Sequence, residues 1–104
     1  MYSQEEILLN IKTAVLEEIP GARVYLFGSR ATGNIHEESD WDILVLTERI
    51  SDRALRKRIH YKLFPLGLKI NGFIGTTIVN EEEWLENPSY YALRLSIKDE
   101  QVSK

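Results

Sequence analysis

Two aspartates one residue apart, Asp40 and Asp42, open the apolar run Ile43-Leu44-Val45-Leu46. In an extended strand, side chains at i and i+2 share a face, with Cα atoms roughly 6–7 Å apart. Both carboxylates therefore project together, while Trp41 and Ile43 point the other way. Paired carboxylates repel, and one is driven toward protonation unless a cation sits between them. Mg²⁺ suits such a pair because it takes hard oxygen ligands, commonly one or two carboxylates completed by substrate phosphates and water. Mn²⁺ favours the same donors. A bare D-x-D is more often just the polar opening of a surface strand.

A second place with chemical potential lies twelve residues upstream, at Gly28-Ser29-Arg30, directly after the run Val24-Tyr25-Leu26-Phe27. Glycine lets the backbone approach a ligand, and free N–H groups at the start of a helical turn favour an anion. Ser29 adds a hydroxyl donor and Arg30 a guanidinium. Gly-Ser taken alone is at least as often a plain strand-ending turn. The pair of places says more than either. If the two apolar runs are antiparallel neighbours, the end of the first lies beside the start of the second. Gly28-Ser29 and Asp40/Asp42 then face one small volume, as a nucleoside triphosphate with bridging Mg²⁺ requires. Gly28 and Gly33 have the spacing of a P-loop, but Asn34 and Ile35 stand where its lysine and hydroxyl residue belong. A dinucleotide fingerprint fails for want of G-x-G.

The elements that must position these residues are legible by period. Residues 3–18 read as a helix, with Ser3 and Glu6 as a capping box and apolar positions at Ile7, Leu8, Ile11, Ala14 and Val15. Pro20-Gly21 ends it. Residues 23–27 and 40–47 read as strands. Ser51 or Asp52 caps a helix over residues 52–68, with the stripe Leu55, Ile59, Leu63 and Leu66, and Pro65 is expected to stop or kink its last turn. Residues 70–79 form a strand diluted by Gly72 and Gly75. Asn80 with Glu83 starts a short acidic helix, and Asn87-Pro88 a final one. The order is α-β-β-α-β-α, with a frayed tail after Asp99.

Composition bounds the class. The chain has 104 residues, enough for one domain over residues 1–104, and its 43% hydrophobic and 28% charged content is that of a soluble protein. No apolar run approaches the ~20 residues of a membrane span, and the acidic N-terminus is unlike a secretory signal. The absence of cysteine points to a cytoplasmic setting without disulfides or thiolate sites. A net charge of −3 argues against general nucleic-acid binding. That average hides a basic middle: Arg49, Arg53, Arg56, Lys57, Arg58, Lys62 and Lys69 stand against Asp52 alone. Such a stretch is usually a solvated helix face; it also suits a polyanion or an acidic partner.

The compound motif Leu26-Phe27-Gly28-Ser29-Arg30-Ala31-Thr32-Gly33, then Ser39-Asp40-Trp41-Asp42-Ile43-Leu44-Val45, resembles that of minimal nucleotidyltransferases of the DNA polymerase β superfamily. The resemblance implies an α/β (α+β) fold with a small mixed sheet and helices mainly on one face. It implies transfer of a nucleoside monophosphate from ATP or another NTP to a hydroxyl acceptor. Gly28, Ser29 and Arg30 would bind the nucleotide, and Asp40 and Asp42 would be catalytic, holding Mg²⁺. It further implies a small helical partner protein, or a homo-oligomer, to complete the site. The family places a third acid on the next strand, where this chain has none; the position is expected near Phe73, with Asn71 the nearest polar residue. Glu37 or Glu38 is the other conceivable source. The alternative is a catalytically degenerate nucleotide-binding or partner-binding, antitoxin-like protein.

Overall fold

A computed structural model describes residues 3–27, 40–50 and 52–97. Helix α1 (Gln4–Glu18) is started by both halves of the expected capping box: Glu6 N–H donates to Ser3 Oγ at 3.1 Å and Ser3 N–H to Glu6 Oε1 at 2.9 Å. Ile7, Ile11 and Val15 are its buried stripe. Gly21, at φ 88°, turns the chain into strand β1 (Arg23–Phe27). Strand β2 (Trp41–Thr47) is followed by helix α2 (Arg53–Ile70), whose start Asp52 caps by accepting from Leu55 N–H at 2.9 Å. Strand β3 (Ile74–Asn80), helix α3 (Glu81–Glu86), a 3₁₀ turn (Pro88–Tyr90) and helix α4 (Tyr91–Ile97) complete it.

The sheet order is β1-β2-β3, antiparallel between β1 and β2 and parallel between β2 and β3, with α2 as the crossover. Central β2 is covered on both faces, so Ile43, Leu44 and Val45 are fully buried. Odd-numbered Trp41, Ile43 and Val45 pack with the stripes of α1 and α2, whereas Leu44 and Leu46 pack with Tyr25, Val79 and Ile97. The two long helices thus lie on one face, and the short C-terminal elements cover part of the other. Across the long-helix layer, Glu17 meets Lys62 at 2.8 Å and Glu18 meets Arg58 at 3.4 Å.

Of the stop or kink expected at Pro65, the stop needs correction. Pro65 does not end the helix, which runs five residues further. Proline removes the N–H that would bond the carbonyl four residues back, here that of Tyr61. Both residues are exposed, so water can take that carbonyl's bond. The true stop is Asn71, left-handed at φ 55° and ψ 45°, with Gly72 N–H donating back to Gly67 O at 3.0 Å. A side chain at Gly67 would press within 3.1 Å of Gly72 O, so glycine permits that close return.

Candidate active site

Burial of Trp41 decides where the aspartates go. Its side chain is 2% exposed in the core beneath α1 and α2, and alternation sends its neighbours Asp40 and Asp42 to the opposite face. Trp41 N–H also donates to Phe73 O at 2.9 Å, tying the entry of β2 to that of β3. Asp40 is exposed just before β2, and Asp42 is half-buried within it. Burial lifts the Asp42 pKa above the ordinary 3.8, and the charge of Asp40 lifts it further. A cation placed between the two would relieve both causes.

Register fixes the surroundings. Asp42 pairs with Phe27 on one side and with Gly75 on the other. Phe27 is the last residue of β1, and Gly28 follows it in the chain. The antiparallel pairing on which a shared volume depends is therefore present, and it brings the end of β1 beside Asp42. Gly28, Ser29 and Arg30 themselves lie outside the described residues, as do Glu37 and Glu38 and the tail after Asp99.

On β3 the place beside Asp42 belongs to Gly75, two residues beyond the position the sequence suggested. Asn71 is the α2 cap and lies outside the strand. A Cβ built on Gly75 would lie 3.2 Å from Phe73 Cε2, so the Phe73 ring leans over the ground a side chain at 75 would occupy. Among the described residues, no three His, Cys, Asp or Glu side chains are grouped to hold a metal ion. The donor set that is described, two adjacent carboxylates, still fits Mg²⁺, whose remaining positions are commonly filled by water and substrate phosphate. Sequence reasoning missed Gly75; the apolar alternation Ile74, Thr76, Ile78 carried the signal, since it fixes which β3 residues share the aspartate face.

The basic residues fall elsewhere. Arg49, Arg53 and Arg56 follow β2, whereas the aspartates open it, and seven strand residues span roughly 20 Å. Arg49 reaches the end of α1, donating to Glu18 O at 3.5 Å.

The architecture is that of a nucleotidyltransferase domain, and the family model of that description matches residues 8–98. This chain belongs to that family. Among solved structures, it resembles a toxin-antitoxin crystallised with AMP-PNP, at 28% identity and TM-score 0.56, covering 68% of this chain and 56% of that one. It also resembles spectinomycin adenyltransferase AAD(9) from Enterococcus faecialis, crystallised with ATP and spectinomycin, at 22% identity and TM-score 0.65. That likeness covers 81% of this chain and 37% of the other, and shows the fold. The chain thus spans little more than half of the first structure and well under half of the second. No curated protein matches it. Among the described residues, no helix is long and apolar enough to cross a membrane.

Proposed function

We propose that this domain moves a nucleoside monophosphate from a nucleoside triphosphate, ATP being the first candidate, to a hydroxyl acceptor. The observation that carries the reading is the pairing of Asp42 with Phe27, the residue joined to Gly28. It puts the carboxylate pair beside the strand that leads into Gly28-Ser29-Arg30, the proposed grip on the triphosphate. The AMP-PNP in the related toxin-antitoxin structure supports an adenine nucleotide.

Asp40 and Asp42 would hold Mg²⁺, and the ion would neutralise charge developing on the phosphates. Gly28 N–H and the Ser29 hydroxyl would hold the triphosphate, and Arg30 would add charge there. The acceptor oxygen attacks the α-phosphorus, the bond to the β-phosphate bridging oxygen breaks, and pyrophosphate leaves. The acceptor proton passes to water or to a carboxylate of the pair. A partner protein or second copy would supply the acceptor surface.

A specific observation favours a second reading. Gly75 offers no carboxylate beside Asp42, so a general base on that strand is missing and binding without turnover is the competing outcome. Calorimetric titration with ATP, with and without Mg²⁺, tests the binding step on wild type and on Asp40→Asn/Asp42→Asn. Magnesium-dependent heat that disappears in the variant is expected; no heat with any triphosphate would overturn the reading. Addition of a nucleotide's mass to an acceptor, abolished by Asp42→Asn, would then separate transfer from binding alone.

A further inference from the structure

Helix α2 is apolar on two opposite faces, and only one is used. Leu55, Ile59 and Leu63 are buried against the sheet. Diametrically opposite runs the stripe Arg53, Lys57, Tyr61, Phe64 and Leu68, at helical spacing and exposed throughout. Tyr61 is 64%, Phe64 53% and Leu68 68% exposed. Large apolar side chains on an outward helix face mark a surface made to be covered. The stripe is also graded. Its first half is basic, its second half aromatic and aliphatic, and α2 contains no Asp or Glu at all.

The apolar half continues into a groove of about 120 Å³ between the last turns of α2 and the entry of β3, walled by Phe64, Leu68, Phe73 and Ile74. Phe73, 61% exposed, belongs to both places. It lines the groove, its ring leans over Gly75, and its carbonyl accepts from Trp41 N–H between the two aspartates. Because β2 and β3 are parallel, α2 must run back along the sheet, bringing Phe64 and Leu68 to the end where Asp40 and Asp42 stand. The groove therefore opens at the same end of the sheet as the proposed reaction centre, on its β3 side, while the aspartates project from the other face.

We propose that this groove and the outward stripe of α2 dock a partner protein through one helical segment, acidic at one end and apolar at the other. The acidic end lies along Arg53 and Lys57, and the apolar end seats beside Phe64, Leu68 and Phe73. Charge selects this occupant: the acid-free α2 attracts an acidic segment, and the same stripe on a second copy, pairing with itself, would offer Arg53 and Lys57 no opposite charge. A concave groove receives side chains, where a flat basic-apolar face would suit a membrane. The inference rests on the reading above for the need of a partner; it adds where that partner sits and what it looks like.

The test uses the full chain and a fluorescein-labelled synthetic helical peptide, leucines at helical spacing in one half and glutamates in the other. A control peptide carries lysine for glutamate. Wild type should bind the acidic peptide and not the lysine one, more weakly as salt rises. Phe64→Ala/Leu68→Ala should weaken binding roughly tenfold or more, as loss of central anchors does. Lys57→Glu should weaken it less. Equal binding of both peptides, or binding of neither, overturns the proposal. So does a concentration-dependent dimer that Phe64→Ala/Leu68→Ala abolishes, or sedimentation with anionic phospholipid vesicles that the acidic peptide does not compete. Asp40→Asn/Asp42→Asn should bind the peptide as wild type does, and Phe64→Ala/Leu68→Ala should keep the magnesium-dependent ATP heat. Loss of nucleotide binding with the peptide still held would thus sink the transferase reading and leave the docking surface standing.

Discussion

Asp42 carries a cost in the metal-free protein that its chemistry explains. Folded, it holds its proton more tightly than the ordinary 3.8 because burial and then Asp40 disfavour its charge. Below that value both folded and unfolded chains are protonated, and the shift contributes nothing. As pH rises through 3.8 and the raised folded value, the unfolded chain loses its proton first, so stability falls and stays lower at neutral pH. In EDTA, Asp42→Asn should therefore melt at or above wild type near neutrality, with the gap closing as pH falls toward 3.8. Thermal melts across that range check it, and a wild-type advantage at neutral pH would contradict it. Gly75→Asp is the complementary change. The added Cβ meets only the Phe73 side chain, at 3.2 Å, and that exposed ring need shift only a few tenths of an ångström, so Asp should be accommodated while adding charge beside Asp42. It should lower the metal-free melting temperature yet tighten Mn²⁺ binding by roughly tenfold, since affinity follows ligand charge count. The aspartate pair was readable from alternation within one strand, a local property. For Gly75 alternation gives only the face; its place beside Asp42 depends on the register of a parallel pair, set across an 18-residue helix beyond the reach of any short motif.

At the scale of elements, α2 shows why punctuation residues mislead. Pro65 inside a helical pattern argues for an end, while Leu66 and Ile70 beyond it continue the stripe of Leu55, Ile59 and Leu63 against the core and argue for continuation. Burial of that stripe wins, because the missing hydrogen bond falls on the solvent side, where water replaces it. Continuation matters for function, since only the extra turns bring Leu68 to the groove and fold Gly72 back on Gly67. Pro65→Ala should restore the bond to the Tyr61 carbonyl and remove the ring's clash with it, raising stability by about 2 kcal/mol. Urea unfolding measures that gain. A loss would mean that the ring makes contacts the helix needs. The N-terminal halves of elements were more legible: Ser3, Asp52 and Asn80 each accept the backbone N–H their type and spacing implied. Capping is decided within three or four residues, so sequence contains it.

At the scale of the whole molecule, the described residues close the two faces of the sheet unequally. One is sealed by helices of 15 and 18 residues, the other by pieces of six, three and seven. The aspartates lie on the second, thinner face, in line with Leu44 and Leu46. That face has few residues to hold it, and Ile97 at the end of α4 is one, only 3% exposed against Leu44, Leu46, Tyr25 and Val79. Trp84 and Tyr90 pack at its margin, their rings 5.7 Å apart, and Arg94 donates to the Trp84 carbonyl, fastening α4 to α3. Leu95, two residues before Ile97, is 56% exposed. Sequence periodicity does not separate these two, because a seven-residue helix is too short to define a face. Packing separates them sharply. Ile97→Ala should destabilise by about 2–4 kcal/mol through the cavity it leaves, while Leu95→Ala should change stability by less than about 0.5 kcal/mol. Urea unfolding of both variants decides the matter. If the site depends on central β2 more than on its thin cover, Ile97→Ala should still show the magnesium-dependent ATP heat well below its melting temperature. Loss of that heat in a variant that remains folded would make the C-terminal helices part of the site's own support.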